Sequence, residues 1–371
     1  MLHVALAESK KFPFEAIFRS IIKHLCDAAT NEFLFIIDFY KTNPRDSFNK
    51  IFNRTLSLIL EFLENYLLNC YDAIGLLLVI KVAHLQRIVM QRRRIPSLDS
   101  FFDRISMLLW PKLKLVFEMN LKSIKNANPR KLGTIDLGPH YVSRRYAELV
   151  SSVFFLQTGG DSMGIGGGGD LVHDIHQMRA EITHLLEKLS LQISNSKEQN
   201  VFFINNFDQI LSVFQERRIV SEEVQKIEDL LMHKREFFAE EEIKSSFPRL
   251  VSFVLQTESA MNEMISATGA DVTSSISSIS LDEGIVEGLV RDFSVNWRSG
   301  IQQINDNVLS YFANFRNGME ILKQVLTQLL LYYTRFQDII KKCWSRPPTF
   351  SREIVSTATI LMEIKRYNRT F

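Results

Sequence analysis

Apolar positions recur at steps of three and four along most of the chain, which is the spacing of one face of an α-helix. No segment shows the regular alternation of apolar and polar positions that is typical of a β-strand. The pattern therefore predicts an all-α protein. The helical segments it indicates are Glu15–Tyr40, Phe48–Val89, Leu98–Leu109, Tyr141–Leu156, Leu171–Leu191, Val201–Phe214 and Ser221–Phe238.

The last third of the chain has the longest uninterrupted pattern. Apolar residues follow a near-heptad spacing from Phe293 to Ile340, and no proline occurs before Pro347. A single helix from Ile285 to Lys342 would be about 85 Å long at 1.5 Å per residue. The Asn317-Gly318 pair is where such a helix could break or kink, at a cost of about 1 kcal/mol. We therefore expect an elongated rod of stacked antiparallel helical bundles with a long C-terminal helix.

Glycine, serine and proline mark the expected boundaries. Asn43-Pro44 is typical of a turn, and Pro111 lies inside a helical pattern, where it predicts a kink or a fresh helix start. Gly159–Gly169 is glycine-rich, and the stretch from Thr268 is serine-rich. The predicted division is a first helical bundle region at 1–157, a Gly-rich loop at 158–170, a second helical region at 171–267, a Ser-rich linker at 268–284 and a long-helix C-terminal bundle at 285–371.

Composition and charge exclude several classes of protein. Of the 371 residues, 46% are hydrophobic and 23% are charged, which is typical of a folded globular chain. The net charge of +2 provides no broad basic surface for nucleic acid. Cys26, Cys70 and Cys343 are far apart and lack the Cys-x-x-Cys spacing, so three reduced thiols are predicted rather than a disulfide framework or a zinc ribbon.

Signals for membrane insertion or secretion are weak. The segment Met1–Lys11 lacks the apolar core of a signal peptide. The most apolar run, Ala73–Ile80, is shorter than the ~20 residues that a membrane span requires. Asn-Arg-Thr sequons at Asn53 and Asn368 matter only in a secreted protein. Membrane association is therefore expected to be peripheral or through partners.

Two candidate ligand sites can be weighed against plainer interpretations. Gly164–Gly169 formally matches G-x-G-x-x-G, but a dinucleotide site needs a preceding strand and a βαβ unit, so a loop without ligand is favoured. His173, Asp174, His176 and His184 suggest a metal, yet no cysteine or His-x-x-x-His spacing completes a site. A polar helix surface is therefore the favoured interpretation of the histidines.

The basic clusters Arg92–Arg94 and Arg144–Arg145 are interpreted as solvated surface, with contact to phosphates or to an acidic partner as the alternative. The Phe-rich stripes at helical spacing indicate core packing rather than base stacking. No phosphate loop, nucleophile elbow or kinase signature occurs. We therefore predict no catalytic, cofactor-binding or metal-binding residues, no cofactor, and a protein that is not an enzyme.

Several blocks of sequence, in order along nearly the whole chain, resemble the C-terminal region of the vacuolar protein sorting-associated protein 52 family. Members of this family are subunits of the Golgi-associated retrograde protein (GARP) and endosome-associated recycling protein (EARP) tethering complexes. The blocks that carry the resemblance are Phe12–Tyr40, Asn69–Val82, Ile95–Ile124, PHYVSRRYAEL at Pro139–Leu149, KEQNVFFINNFDQILSVF at Lys197–Phe214, Phe312–Ile340 with its NFRNG motif, and Leu361–Phe371.

The resemblance implies a non-enzymatic subunit that tethers endosome-derived vesicles at the trans-Golgi network. It implies a rod of stacked helical bundles of the kind found in multisubunit tethering complex (CATCHR-type) subunits. Sister subunits, a Golgi Rab GTPase and SNARE proteins are the implied partners, with no role for nucleic acid. The implied location is the cytoplasmic face of the trans-Golgi network and endosomes. A generic helical scaffold or adaptor outside tethering is the alternative function, and an enzyme using the glycine loop is a third.

The chain departs from the family in two places. Family members carry a coiled-coil region before the first block, and no counterpart occurs here. A fragment, an isoform and an incomplete gene model would each account for that difference. The glycine tract Gly159–Gly169 is expected to be a lineage-specific insertion, to which no family function transfers.

Overall fold

The computed structural model describes residues 12–40, 44–158, 168–268, 282–344 and 348–367. These ranges contain α-helices and short 3₁₀ turns but no strand, so the predicted all-α class is confirmed. The 3₁₀ turns are Pro96–Leu98, Pro129–Lys131 and Thr349–Glu353. The helices are α1 (Phe14–Tyr40), α2 (Pro44–Leu68), α3 (Ala73–Arg92), α4 (Asp99–Lys125), α5 (Tyr141–Thr158), α6 (Gly168–Ser190), α7 (Ser196–Glu216), α8 (Glu222–Ser246), α9 (Pro248–Thr268), α10 (Glu283–Tyr311), α11 (Phe315–Cys343) and α12 (Thr357–Tyr367).

The chain forms two structural units. The first comprises residues 1–133, 144–187 and 213–220, and the second comprises 134–143, 188–212 and 221–371. In the first unit, α1–α4 form a four-helix arrangement in which α3 packs on α1 and α4, and α2 packs on the same two helices. Its core includes the fully buried rings of Phe18, Phe48, Phe102 and Phe117. These two units do not test the five-part division derived from the sequence, which stays a prediction.

Helix α3 has the length and composition of a membrane span. It is 20 residues long, and an 18-residue window within it has a mean hydropathy of 1.7. The apolar run Ala73–Ile80 was expected to be too short for a membrane span. That expectation was wrong about the length of the helix, because the helix continues past Lys81 to Arg92. The side chains of Leu76, Leu77 and Val79 are fully buried against its neighbours. A buried core helix satisfies the same criteria, so the apolar character of α3 is explained by its central place in the first unit.

Proline begins one helix and is accommodated inside another. Helix α2 starts at Pro44, since proline is well tolerated at the first helical position, and Asn43 of the predicted turn lies outside the described residues. Helix α4 runs from Asp99 to Lys125 with Pro111 inside it. A fresh helix start at Pro111 was one of two expectations, and it does not occur.

The single long C-terminal helix was wrong. The chain leaves the helical conformation between Tyr311 and Phe315, so two 29-residue helices, α10 and α11, replace it. The break precedes Asn317-Gly318, which lies in the first turn of α11. It buries Phe312 edge-on against Phe238, with ring centroids 5.2 Å apart. Folding back allows the apolar faces of α10 and α11 to pack on each other, whereas a continuous helix would leave this intramolecular contact unmade.

Helix α11 is the centre of the second unit. It packs on α8, α9, α10 and α12. Tyr333 shows how tightly it is held: its ring stacks on Phe293 with centroids 4.4 Å apart, and its hydroxyl donates to the carbonyl oxygen of Val355 at 2.8 Å. Burial raises the pKa of Tyr333 to about 12. The other core residues of α11 include Leu322, Val325, Leu326, Leu329 and Phe336.

The close approach of α10 to Phe247 provides a test of this packing. A Cβ atom on Gly300 would lie 2.5 Å from Cζ of Phe247, whose side chain is buried, so Gly300→Ala forces a ring to move. We expect a loss of about 1–3 kcal/mol in the free energy of unfolding, measured by urea denaturation with circular dichroism. Gly288→Ala on the same helix meets nothing within 4 Å. Gly288→Ala should raise the free energy of unfolding by up to ~1 kcal/mol. Equal stabilisation by both variants would contradict the close packing of Gly300 against Phe247.

Candidate functional site

Most of the glycine tract lies outside the described residues. Only Gly168 and Gly169 are described, and both belong to the first turn of α6. The loop predicted over 158–170 is therefore helical at both ends, since Thr158 is the last residue of α5. The prediction of a loop without ligand over 159–167 falls on residues that are not described. The Ser-rich linker also falls outside them, apart from Thr268 at the end of α9 and the residues from Asp282 onward, where α10 begins at Glu283.

The histidines of α6 make pairwise contacts along their own helix. The Nε2 atom of His173 lies 2.9 Å from the Nε2 atom of Gln177. The Nδ1 atom of His184 lies 3.2 Å from a carboxylate oxygen of Glu187. Across the described ranges, no group of three or more His, Cys, Asp or Glu side chains is placed to hold a metal ion. The geometry therefore supports side-chain contacts on a helix surface.

The central arginine of the first basic cluster has a structural role. Arg93 forms an ion pair with Asp27 at 2.9 Å and donates to Oγ1 of Thr30 at 2.9 Å, which joins the end of α3 to α1. Arg94 has a φ of 58°, the left-handed conformation in which the chain turns away after the helix. In the second cluster, Arg144 is exposed and lies 3.7 Å from Glu148, one turn along α5. The interpretation of this cluster as solvated surface is therefore incomplete for Arg93, which also binds side chains of α1.

The cysteines are free thiols, of which Cys26 and Cys70 are buried and Cys343 is half-buried. Burial raises the pKa of Cys26 to about 11, which suppresses the reactive thiolate at neutral pH. Their positions give these residues a packing role rather than a catalytic one.

Three of the blocks that carry the family resemblance meet in the second unit through amide side chains, of which those of Asn206 and Asn317 are buried. We call this cluster the asparagine junction, and it consists of Asn205, Asn206, Asn314 and Asn317. Sequence reasoning quoted these blocks as motifs without assigning a role to their asparagines. One feature of the sequence could have pointed to this cluster: the polar pair Asn205-Asn206 lies inside a dense apolar stretch. A polar group in such a place needs a buried hydrogen-bond partner.

Two members of the junction, Asn206 and Asn317, are buried and accept hydrogen bonds. The Oδ1 atom of Asn206 accepts from the backbone N–H of His140 at 2.8 Å and from the hydroxyl of Ser143 at 2.7 Å. Asn206 and Ser143 are both fully buried. The Oδ1 atom of Asn317 accepts two hydrogen bonds from the Arg235 guanidinium, at 2.6 and 3.1 Å. These contacts attach the start of α5 to α7, and α8 to α11.

The other two members hold the chain at its bends. The Nδ2 atom of Asn205 donates to the carbonyl oxygens of Leu137 at 2.7 Å and of Tyr311 at 3.1 Å. Tyr311 is the last residue of α10, so this bond satisfies a carbonyl that the helix leaves open. Asn314 donates to Asp208 at 2.6 Å. Burial raises the pKa of Asp208 and outweighs the opposing effect of that hydrogen bond. The junction therefore fixes the turn between α10 and α11.

Helix α8 carries an acidic triplet, Glu240–Glu242, which lies beyond the end of the predicted helical segment Ser221–Phe238. Each carboxylate contacts a different set of side chains. Glu242 is fully buried and pairs with Lys197, whose ammonium also lies 5.4 Å from the centre of the Tyr311 ring. The remaining contacts are Glu241 with Ser196 and Asn200, Glu240 with Tyr332, Gln328 and Lys244, and Glu242 with Asn307. Burial opposes ionisation of Glu240, but its hydrogen bonds together hold its pKa below the usual range.

The ion pair between Glu258 and Arg335 predicts an acid-sensitive contribution to stability. Hydrogen bonds from Arg335 hold the pKa of Glu258 below its ordinary value of 4.5. The stabilisation is therefore present above pH 4.5 and is lost as pH falls through the folded-state pKa. Both side chains are about one-third exposed, so solvent screening limits the effect to about 1 kcal/mol. Glu258→Gln should be less stable at pH 7 and should converge with the unmodified chain near pH 3 in urea denaturation.

The matched control is Asp338→Asn on α11, whose partner Lys341 lies 3.5 Å away in an exposed pair. It should change stability by less than about 0.5 kcal/mol. A Glu258→Gln deficit that stays constant between pH 7 and pH 3 would contradict the role assigned to the ion pair.

An aromatic cluster is exposed at the C-terminal end of α1. The side chains of Phe35, Phe39 and Tyr40 are 50%, 67% and 57% exposed. Their rings contact one another, with centroids of Phe35 and Phe39 5.4 Å apart and of Phe39 and Tyr40 5.0 Å apart. Aromatic side chains dominate the binding energy of many protein–protein interfaces, because they bury large areas at low entropic cost. This cluster is the candidate interaction surface of the first unit.

Comparison with known proteins identifies the family. The model of the family described as "Vps52, C-terminal" matches residues 1–239. Vacuolar protein sorting-associated protein 52 A of Arabidopsis thaliana is 37% identical over 373 residues, covering 100% of this chain and 50% of that protein. The human homolog is 32% identical over 374 residues, covering 100% and 49%. The Caenorhabditis elegans homolog is 27% identical over 378 residues, covering 100% and 52%.

The chain spans about half the length of the curated relatives it matches. The alignments run through every block quoted above, including the three that meet at the asparagine junction. With the family model matched over residues 1–239, well over half of the sequence, the chain belongs to the Vps52 C-terminal family.

Proposed function

We propose that this chain is part of a non-enzymatic subunit of a vesicle-tethering complex that serves retrograde transport from endosomes to the trans-Golgi network. The observation that carries the proposal is the alignment of the entire chain with proteins named for vacuolar protein sorting, at 37% identity for one of them. Tethering and the route of transport follow from the resemblance of the chain to subunits of the GARP and EARP complexes.

The geometry supports a protein that works through surfaces. The polar side chains singled out in the second unit are engaged in links between helices, as at the asparagine junction and the α8 triplet. The exposed aromatic cluster at Phe35, Phe39 and Tyr40 is suited to a subunit contact. Sister subunits, a Golgi Rab GTPase and SNARE proteins are the proposed partners. The proposed location is the cytoplasmic face of the trans-Golgi network and endosomes, held there through those partners.

Affinity purification of the tagged full-length gene product from its own cells, followed by quantitative mass spectrometry, tests the proposal. We expect the sister subunits of a tethering complex to be recovered in stoichiometric amounts. Phe39→Ser should reduce that recovery if the aromatic cluster is a subunit contact. The control is Met107→Ser, which changes a single apolar side chain that is 74% exposed.

The alternative is a helical scaffold or adaptor outside tethering, and deletion of the gene separates the two. Loss of a tether should missort receptors that recycle from endosomes to the trans-Golgi network. If recycling is intact in the deletion, and no tether subunit is recovered with the full-length product, the proposal is wrong and the scaffold is favoured.

A further inference from the structure

The C-terminal half of α4 and the 3₁₀ turn that follows it concentrate positive charge. Residues 111–133 contain six lysine and arginine side chains and a single acidic one, Glu118. This local excess is larger than the net charge of +2 of the whole chain. We call five of these cations the α4 basic patch. They are Lys114, Lys122, Lys125, Arg130 and Lys131.

The cations of the patch are free to meet a partner. All five side chains are exposed, and none forms an ion pair with another residue that the structure describes. The sixth cation, Lys112, is left out of the patch because its ammonium lies 5.0 Å from the centre of the Tyr71 ring. Glu118 is one turn from Lys114 and from Lys122, but no ion pair joins it to either. The positive potential of the patch is therefore largely uncompensated.

The patch shares its face of α4 with exposed apolar side chains. Leu115, Met119 and Lys122 follow steps of four and three, which places them on one face of the helix. Leu115 is 49% exposed and Met119 is 45% exposed. The opposite face is held in the core of the first unit by Leu113 and Phe117, which are buried. Apolar side chains beside lysines on a helix face are typical of helices that lie on anionic membranes.

Two features favour a lipid surface over an acidic protein or a nucleic acid. Four of the five cations are lysines, and lysine is depleted at protein–protein interfaces whereas arginine is enriched there. Phe117 is the one aromatic residue within 111–133, and it is buried, so nucleic-acid bases have no ring to stack on. Lysine carries a point charge without fixed geometry, which suits a layer of mobile headgroups.

We propose that the α4 basic patch binds the surface of an anionic phospholipid membrane. The lysines contact the headgroups, while Leu115 and Met119 enter the boundary between headgroups and acyl chains. This inference goes beyond the proposed function, in which partner proteins hold the chain at membranes. It does not depend on that function, because it rests on the charge and exposure of one helix face.

Co-flotation of the full chain with vesicles tests the proposal. One set of vesicles is phosphatidylcholine with about 30% phosphatidylserine, and the other is phosphatidylcholine alone. Each basic side chain near an anionic surface changes membrane partitioning by about fivefold. We therefore expect binding to the anionic vesicles to be stronger by about tenfold or more. Raising the salt concentration from about 0.1 M to 1 M should abolish this binding, because the Debye length falls from ~10 Å to ~3 Å.

Variants of the patch locate the binding. The combined variant Lys114→Gln, Lys122→Gln and Lys125→Gln should weaken binding to the anionic vesicles by about tenfold or more. Glu118→Gln removes the one acidic side chain of the segment and should strengthen binding by about threefold. Met119→Ser should weaken it by about threefold, because the apolar side chain no longer enters the membrane boundary.

The matched control removes three exposed lysines from other helices. It combines Lys50→Gln on α2, Lys226→Gln on α8 and Lys323→Gln on α11. The net charge changes as much as in the patch variant, but binding should change by less than about twofold. Circular dichroism verifies folding. If the patch variant does not fold, the gain expected for Glu118→Gln decides in its place.

Several results would overturn the proposal. These are no flotation with anionic vesicles, equal binding to both sets of vesicles, equal weakening by the patch variant and the matched control, or no gain with Glu118→Gln. Binding of a polyglutamate peptide that needs the patch, without vesicle binding, would assign the patch to an acidic protein instead. The same result with single-stranded RNA would assign it to nucleic acid.

Discussion

Replacing Leu326 by proline is expected to unfold the second unit. Leu326 is fully buried in the middle of α11, the helix on which α8, α9, α10 and α12 all pack. Proline removes a backbone hydrogen bond and clashes with the preceding turn, at about 3 kcal/mol or more. Loss of the leucine side chain adds about 2–5 kcal/mol. The combined loss from the two effects approaches the free energy of unfolding of an ordinary domain, which is about 5–15 kcal/mol.

Two controls separate the backbone from the side chain. Leu326→Ala should retain the helix and cost only the packing contribution of about 2–5 kcal/mol. Phe315→Pro places proline at the first position of α11, after Asn314 with φ −76° and ψ 105°, an extended conformation compatible with a following proline. It should keep the helical signal in circular dichroism. A cooperative thermal transition of Leu326→Pro at the unmodified midpoint would refute the central role of α11.

Asn206→Ala is expected to lower the free energy of unfolding by about 3 kcal/mol, although it changes one small polar side chain. The substitution removes the acceptor for the His140 N–H and for the Ser143 hydroxyl, both in buried surroundings. Each group deprived of its partner away from water costs about 1–3 kcal/mol. Urea denaturation followed by circular dichroism measures the loss.

The control for Asn206→Ala is Asn296→Ala on α10. The Nδ2 atom of Asn296 donates to a carboxylate oxygen of Asp292 at 2.9 Å, and this contact is exposed. Water replaces it, so the change should stay within about 0.5 kcal/mol. If the two alanine variants lose the same small amount, the asparagine junction does not stabilise the fold as described.

Local periodicity was enough to find most of the helical residues, although the predicted segment Phe48–Val89 joined α2 and α3, which the structure separates. The predicted segments at Tyr141–Leu156 and Leu171–Leu191 correspond closely to α5 and α6, because an amphipathic helix shows its buried face directly as a spacing of three and four. The candidate site was harder to predict from the sequence. Asn206 and Asn317 are far apart in sequence, and only folding reveals that their partners come from distant segments of the chain.

The break at Phe312 could not be predicted for a related reason. The segment Tyr311–Phe315 contains no glycine or proline, and the apolar spacing continues across it. The preference for two helices over one comes from burial of Phe312 against Phe238 and from the packing of α10 on α11, which are contacts between distant parts of the chain. A local pattern carries no information on such contacts.

The sequence by itself determined the all-α class, the approximate positions of the helices and, through its blocks, membership of the family. These are properties of local spacing and of residue identity. Only the tertiary structure decided that α3 is a packed core helix with the composition of a membrane span, that the C-terminal pattern folds back on itself, and that the blocks meet at buried asparagines. The physical reason is that burial and hydrogen-bond satisfaction depend on which segments come together, and that choice is made by the whole chain.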